Sequence, residues 1–412
     1  MAVNLIRNAK VFFTTMVNST TGKITYANST HTTSTTYEIQ VLDGLSFTQS
    51  TGSDTVTLNE SGATPSRGQR MFNTSLEAGD FSFSTYIRPK YSDTVADDTI
   101  DSGDTVSCEE KVLWNALLSN VAIGSVGAAY SETVGNASGP VAPYATITTA
   151  NSNKNKLQQF GLIIIFDDTT YLLHNCALES ATIDFGIDQV AAIQWAGKFT
   201  EMEKLATAAT ASGGNFGSFG TGNAYKQKIT DAKYISNKLS TISIDCPAVA
   251  AYGQSAVTYT FPITGGSISI ANNLSYLIPA QIGTVNKPFD YFTGTRAISG
   301  SLTAYLRSAT TNSADLMSAM ITQSGSYAQN LFNITIGLGG TTTTPTTTST
   351  ENKLIFSLPY SMLQIPAVNT DQVVSTTINF TAQGGTGSTS SSAYDIDSAT
   401  EATIKYFSGP VV

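Results

Sequence analysis

Three short patterns recur in the same order in the two halves of this chain, which constrains it to fold twice in much the same way. Ala78–Arg88 (AGDFSFSTYIR) matches Ala297–Arg307 (AISGSLTAYLR), and both end in Tyr-aliphatic-Arg after an alternating run. Lys111–Leu118 (KVLWNALL) matches Ala314–Ile321 (ADLMSAMI), with Leu113 and Leu117 answering to Leu316 and Met320. Asp188-Gln189-Val190 matches Asp371-Gln372-Val373, each opening a further alternating run. The offset falls from 219 to 203 to 183, so the connections shorten in the second copy. The repeat divides the chain into a first domain over 1–205, a linker over 206–224 and a second domain over 225–412.

The runs between these landmarks alternate with period two, the mark of strands with one buried face. Phe81, Phe83, Thr85 and Ile87 point one way, and Ser82, Ser84, Tyr86 and Arg88 the other. Leu162–Phe166, the acidic turn Asp167-Asp168 and Thr169–Leu173 predict a hairpin, followed by strands over Thr182–Ile187 and Val190–Phe199. A second hairpin joins Phe332–Leu338 to Leu354–Leu358, with the Thr341–Thr350 tract as an exposed, mobile tip. Helical spacing is scarce and clearest at Glu109–Leu118, where Glu109 and Glu110 would place acid in the first turn. There Leu113, Trp114 and Leu117 are candidate core residues, as are Leu316 and Met320 in the second copy and Trp195 on a strand. The predicted fold is mainly β: two tandem sandwich or barrel domains, each flanked by one short helix. The stretch ATAATASGGNFGSFGTGN at 206–223 carries no charge and reads as a linker or long loop.

Charge is sparse, at 12% of residues, with Ser and Thr in its place. Residues 1–205 hold 21 acids against 12 bases, and the remainder nine of each, giving a net charge of −9. No basic stripe of the kind that grips phosphate is present. Cys108, Cys176 and Cys246 are odd in number and widely spaced, which predicts buried thiols in a reducing compartment. The opening MAVNLIRNAKVFF lacks the apolar stretch of a signal peptide, and no segment has the ~18 apolar residues of a membrane helix. A soluble protein with no membrane partner is expected.

The sequence offers little chemistry. His174, two residues from Cys176, invites a nucleophile or metal site, but no further His or Cys lies near to complete a shell. His31 stands in a Ser/Thr-rich loop. The run Asp93–Glu110 has seven carboxylates without the spacing of a calcium loop, and reads as a solvated, self-repelling segment. No catalytic, cofactor or metal residue is assigned, and no enzyme activity is expected.

Longer stretches resemble a known family. Leu5–Phe13 (LIRNAKVFF) looks like the opening strand of tail tube proteins from long-tailed bacteriophages. Pro65–Gly68, Arg70–Leu76 and Phe81–Ile87 are similar to a branch that carries a duplicated tube domain in each chain, as are Pro262–Gly266, Gly300–Leu306 and Ile193–Gly197. The resemblance implies a non-enzymatic virion protein, assembled in the bacterial cytoplasm, whose trimeric rings mimic hexamers and stack into the tail tube. Its implied partners are other copies of itself, a tape-measure protein in the lumen, a tail terminator and distal tail or baseplate proteins. Phage DNA would pass through without specific binding. The chain ends soon after its second domain, so no further decorating domain is expected.

For such a tube, open sheet edges would knit neighbouring domains together. Stacking contacts would come from the loops Thr48–Asn73 and Ala271–Gly294. The first carries Leu58, Pro65, Arg67 and Arg70, and the second Tyr276, Ile278, Pro279 and Phe289. The net charge, with the conduit role that the resemblance implies, predicts an acidic lumen. The competing expectations are a tail terminator, which shares the fold without polymerising, and a secreted carbohydrate-binding β-sandwich.

Overall fold

The structure is a computed structural model of the 412-residue chain. It describes residues 8–26, 29–56, 70–93, 103–118, 130–133, 144–149, 157–206, 209–230, 233–246, 256–283, 285–326, 332–340, 352–366, 368–370, 374–384 and 400–409. The fold is mainly β, as the alternation predicts, with two α-helices among the described residues.

In the first half the strands are β1 (Lys10–Thr14), β2 (Thr36–Ile39), β3 (Ser46–Thr48), a hairpin of β4 (Thr51–Val56) and β5 (Arg70–Leu76), then β6 (Gly79–Tyr86). A second small hairpin, β7 (Pro89–Ser92) and β8 (Thr105–Cys108), leads into helix α1 (Lys111–Leu118). After β9 (Tyr130–Thr133) and β10 (Tyr144–Thr148) come β11 (Phe160–Phe166), β12 (Thr169–Gly186), β13 (Ala192–Phe199) and β14 (Glu201–Lys204). The short β15 (Ala211–Ser212) and β16 (Asn215–Phe216) follow.

The second half holds β17 (Thr241–Cys246), β18 (Val257–Tyr259), β19 (Ile263–Ala271), the hairpin β20 (Leu274–Leu277) and β21 (Asp290–Thr293), and β22 (Ala297–Tyr305). Helix α2 (Ser313–Ser326), β23 (Phe332–Leu338), β24 (Lys353–Leu363), β25 (Val368–Thr370), β26 (Val374–Ala382) and β27 (Thr403–Phe407) complete it.

Pairing follows one plan in both halves. One sheet runs β1–β11–β12–β14, and its counterpart β17–β23–β24–β27. The other runs β3–β6–β13–β12, and its counterpart β19–β22–β26–β24. β12 and β24 serve both sheets, changing partners midway: Tyr171–His174 pair with β14, and Ala177–Asp184 with β13. β12 is therefore one strand of 18 residues, where the sequence suggested two shorter ones.

The alternating side chains fill the space between the sheets. Phe83, Leu113, Trp114, Leu117, Ile193, Trp195, Leu316, Met320 and Ile378 lie in a single apolar core. Trp114 and Trp195 meet edge to face at 4.9 Å, a geometry worth about 1 kcal/mol beyond the area it buries.

One cross-strand pair shows how the two halves solve the same packing problem in opposite ways. In the first, Gly197 of β13 faces Phe81 of β6; in the second, Gly300 of β22 faces Phe380 of β26. A Cβ on Gly197 would lie 2.4 Å from Phe81 Cζ, and one on Gly300 2.4 Å from Phe380 Cζ. Each ring lies over the glycine opposite, so the strand that carries the aromatic is exchanged.

Three local details differ from the expectation. Helix α1 begins at Lys111, so Glu109 and Glu110 form the turn ahead of it; the Glu110 carbonyl accepts from Leu113 and Trp114 N–H. The loops expected over Thr48–Asn73 and Ala271–Gly294 are the hairpins β4–β5 and β20–β21. The stretch expected as a linker or long loop is packed down: Phe216, Phe219 and Tyr225 lie on Phe12, Ile163 and Leu172, the outer side of the β1–β11–β12 sheet. Asn223 fixes this strap by donating to the Phe219 carbonyl and accepting from His31 N–H at 3.0 Å. Its small residues allow the tight course, and its few aromatics supply the hold. The Thr341–Thr350 tip lies outside the described residues.

Candidate assembly interface

The two halves are joined edge to edge. Ser180–Gly186 of β12 pair antiparallel with Gly265–Ala271 of β19, fusing the β3–β6–β13–β12 and β19–β22–β26–β24 sheets into one. At this seam Ala181, Ile183, Phe185, Ile268 and Ile270 are each no more than 3% exposed. A second seam joins β10 to β27, Tyr144 opposite Phe407 through Thr148 opposite Thr403. Helix α1 lies between the halves: Trp114 Nε1 donates to the Tyr406 hydroxyl at 2.8 Å, and Asn272 Nδ2 to the Leu117 carbonyl at 2.8 Å. Seven of its eight residues are buried. Backbone pairing sets the geometry of this junction, and apolar burial supplies most of its stability.

The counterparts of the β12–β19 seam are unpaired among the described residues. Among the described residues, no strand pairs with the far edge of β3, the counterpart of β19. None pairs with the far edge of Met362–Leu363 and β25, the counterpart of the β12 seam. Met362, Ile365 and Val368 along that edge are 43%, 49% and 37% exposed. On helix α2, Ile321 is 50% exposed where its counterpart Leu118 is 3%. Apolar groups at an unpaired edge mark a surface suited to another chain.

A second surface is made by the two hairpins together. The N–H of Leu76 at the end of β5 donates to the Asn286 carbonyl at 2.7 Å, so the hairpins from the two halves lie side by side. Met71, Phe72, Leu277, Phe289 and Phe292 are each more than half exposed, and Ile282 fully so.

The sequence candidates distribute unevenly over these surfaces. Phe289 projects from the β20–β21 hairpin, and Arg70 is exposed at the start of β5. Ile278 and Pro279 are half-buried. Tyr276 instead anchors its hairpin: its hydroxyl lies 2.9 Å from the Asn175 carbonyl and 3.2 Å from that of Lys198, and burial raises its pKa well above the ordinary phenol. Leu58, Pro65 and Arg67 lie outside the described residues. The core candidates Leu113, Trp114, Leu117, Trp195, Leu316 and Met320 are fully buried. Met362, Ile365 and Ile321 were missed. An apolar residue at an edge and one in a core read alike in sequence, and only the pairing separates them.

The histidines serve the scaffold. His174 Nδ1 accepts from Ile24 N–H at 3.1 Å, and its Nε2 donates to Glu203 at 3.0 Å, while Cys176 Sγ turns to the Leu173 carbonyl. His174 and Cys176 therefore form no shared site. Burial lowers the pKa of His174, against the pull of Glu203. His31 Nδ1 bonds Thr36 Oγ1 at 2.8 Å and Thr14 Oγ1 at 3.2 Å. Its Nε2 has no hydrogen-bond partner, and burial lowers its pKa to about 4, offset in part by the Thr25 backbone. The three cysteines are buried and none is in a disulfide. Among the described residues, no three of His, Cys, Asp and Glu gather as a metal set.

No protein-family model matches the chain. Over 386 residues it is 29% identical to tail tube protein pb6 of Escherichia phage T5, an alignment that covers 93% of this chain and 73% of that protein. The resemblance drawn from scattered motifs thus extends along nearly the whole length.

Proposed function

We propose that this chain, similar to a phage tail tube protein over most of its length, is a structural subunit of a phage tail tube. In this reading the chain is a tandem duplicate, and three copies close into a ring with six domains. Each junction between chains repeats the junction within a chain: the free β24–β25 edge of one copy receives the free β3 edge of the next. A heterologous contact of this kind closes when its rotation allows. The observation that carries the proposal is the β12–β19 seam, filled within the chain while, among the described residues, its counterparts are unpaired and the β24–β25 one exposes Met362, Ile365 and Val368.

Eight strands from each chain would make about 24 in the ring, and at ~4.8 Å per strand the wall is ~115 Å around and ~37 Å across before tilt widens it. The paired hairpins then project toward the neighbouring ring, with Met71, Phe72, Ile282 and Phe289 as the stacking contacts. The bore would hold a tape-measure protein during assembly and later pass the genome, with a terminator and baseplate proteins at its ends, in a virion built in the host cytoplasm.

Negative-stain microscopy and native mass measurement of the purified chain test this. Stacked threefold rings are expected from the wild type, and a folded monomer from Ile365→Asp, which places a charge on the open edge. Unaltered tubes from Ile365→Asp would refute the edge assignment, and single rings from the wild type would point to a terminator.

A further inference from the structure

β14 and β27 hold equivalent places beside β12 and β24, yet their far edges differ. β27 pairs there with β10, and among the described residues no strand pairs with the far edge of β14. Residues 119–159, which hold β9 and β10, separate α1 from β11, whereas only residues 327–331 separate α2 from β23. The second half is therefore too short at this point to carry a β9–β10 pair of its own for a neighbouring copy. The β14 edge is occupied by a side chain instead. Gln49, between β3 and β4, accepts from Met202 N–H at 3.0 Å and donates to the carbonyls of Thr200 at 2.8 Å and Glu77 at 2.9 Å. Asn272 follows β19 as Gln49 follows β3, but its amide goes to Leu117 of α1 at 2.8 Å, and the β27 edge is left to β10. Charge reinforces the closure. Three of the four residues of β14 are charged, with Glu201 3.2 Å from Lys23 and 3.5 Å from Lys287; β27 has one charge in five residues.

An added strand pairs through outward backbone groups. Leu205 N–H bonds the Thr170 carbonyl beside β12 at 2.9 Å, so alternation turns the Met202 and Lys204 groups outward. Gln49 takes the first of these, and with it the Thr200 carbonyl. We propose that Gln49 and Glu203 seal this edge against a second copy of the chain, so that copies meet only through their β24–β25 and β3 edges. The inference rests on the ring reading above and narrows it: the β12–β19 seam is repeated between chains, and the β10–β27 seam is not. β27 shows that a strand in this place accepts an antiparallel neighbour, and an uncovered edge strand recruits other chains. On an opened edge the occupant is β14 of another copy, since every molecule then presents it. With Met202 opposite Lys204, that pairing sets Glu203 against Glu203, and like charges directly opposite are destabilising. The amide closes the backbone groups, and the carboxylate opposes self-pairing where they are open.

The test uses the full chain in the Ile365→Asp background and compares Gln49→Ala, Glu203→Gln, which keeps an acceptor for His174, and the two combined. Circular dichroism checks each fold, and Gln49→Asn, too short to reach both partners on β14, stands in where Gln49→Ala does not fold. Exchange of the Met202 amide is expected to quicken about tenfold on loss of Gln49 and to be unmoved by Glu203→Gln. Native mass measurement at rising concentration is expected to give monomers for both single variants and a dimer for the combination. Unchanged exchange without Gln49 overturns the capping of the edge. Monomers throughout overturn the seal against a second copy, and a dimer from either single variant overturns the joint closure. Assembly of the Ile365→Asp chain itself sinks the ring reading, while the Met202 exchange still decides whether Gln49 caps the edge.

Discussion

Glu110 gives the sharpest test of the energetics, because it is an acid whose burial outweighs every group that favours its charge. Both carboxyl oxygens lack a hydrogen bond, although Glu109 beside it pairs with Arg88. Burial raises the Glu110 pKa from 4.5 to about 8; the backbone of Glu110 and the Arg88 guanidinium offset only part of that. The native carboxyl is then neutral at pH 7, while the unfolded chain ionises. The shift is upward, so the native state is not penalised below pH 4.5 and loses stability as pH rises toward 8. At ~1.4 kcal/mol per pH unit, the loss is about 3 kcal/mol at pH 7 and approaches about 4 kcal/mol at pH 8. Glu110→Gln keeps the shape and removes the titration. Urea unfolding in the Ile365→Asp background, from pH 5.5 to 8.5 and so clear of the sequence pI near 4.7, reads the effect without interference from assembly. The glutamine variant should be the more stable, with a gap that widens by about 1.4 kcal/mol per unit up to pH 8 and then levels. A gap of constant size across that range would show that Glu110 is ionised in the fold and that the orphaned-acid reasoning is wrong.

The other expectations follow from single contacts. His31 is shifted the opposite way, from 6.5 to about 4, so its contribution is full above pH 6.5 and fades below it, with a slope of ~1.4 kcal/mol per unit that His31→Asn should remove in the same unfolding assay. Gly300→Ala would put a Cβ 2.2 Å from the Ser267 carbonyl and against the Phe380 ring, and should cost about 1–3 kcal/mol or more by urea unfolding. Adding Phe380→Ala should be non-additive by about 1 kcal/mol, since it clears one of the two clashes. Ile282→Ser with Phe289→Ser should leave rings intact in micrographs and abolish long tubes; tubes of normal length would exclude the hairpins from stacking.

Much of this architecture was legible because it depends on local patterning. Period two located β6, β13 and β23, and a continuous apolar run located β11, to within a few residues, and the three repeated landmarks ran ahead of a pairing scheme that the two halves share. What stayed hidden depends on long-range partners. Nothing local to Thr169–Gly186 says that one strand changes sheets midway; that follows from β13 and β14 competing for different lengths of it. The Gly/Ser-rich stretch read as a linker or long loop because its small residues dominate the composition, while its fixed course depends on three aromatics and on His31, nearly two hundred residues before Asn223.

The contrast between equivalent positions is what separates a subunit from a finished globule. If the two halves had merely diverged, differences in burial would scatter over both. Instead α1 is covered almost all round while α2 leaves Ile321 open, and the β12 edge is paired while the Met362–Val368 edge exposes three apolar side chains. The core answers differently: Phe81 over Gly197 in one half becomes Phe380 over Gly300 in the other, so volume is conserved although the residues trade strands. The core is closed in both halves, while Met362, Ile365, Val368 and Ile321 are exposed at positions whose counterparts are covered. A chain with that distribution has one junction made and the matching one vacant. A contact of that kind repeats from copy to copy, which is what the proposed ring requires.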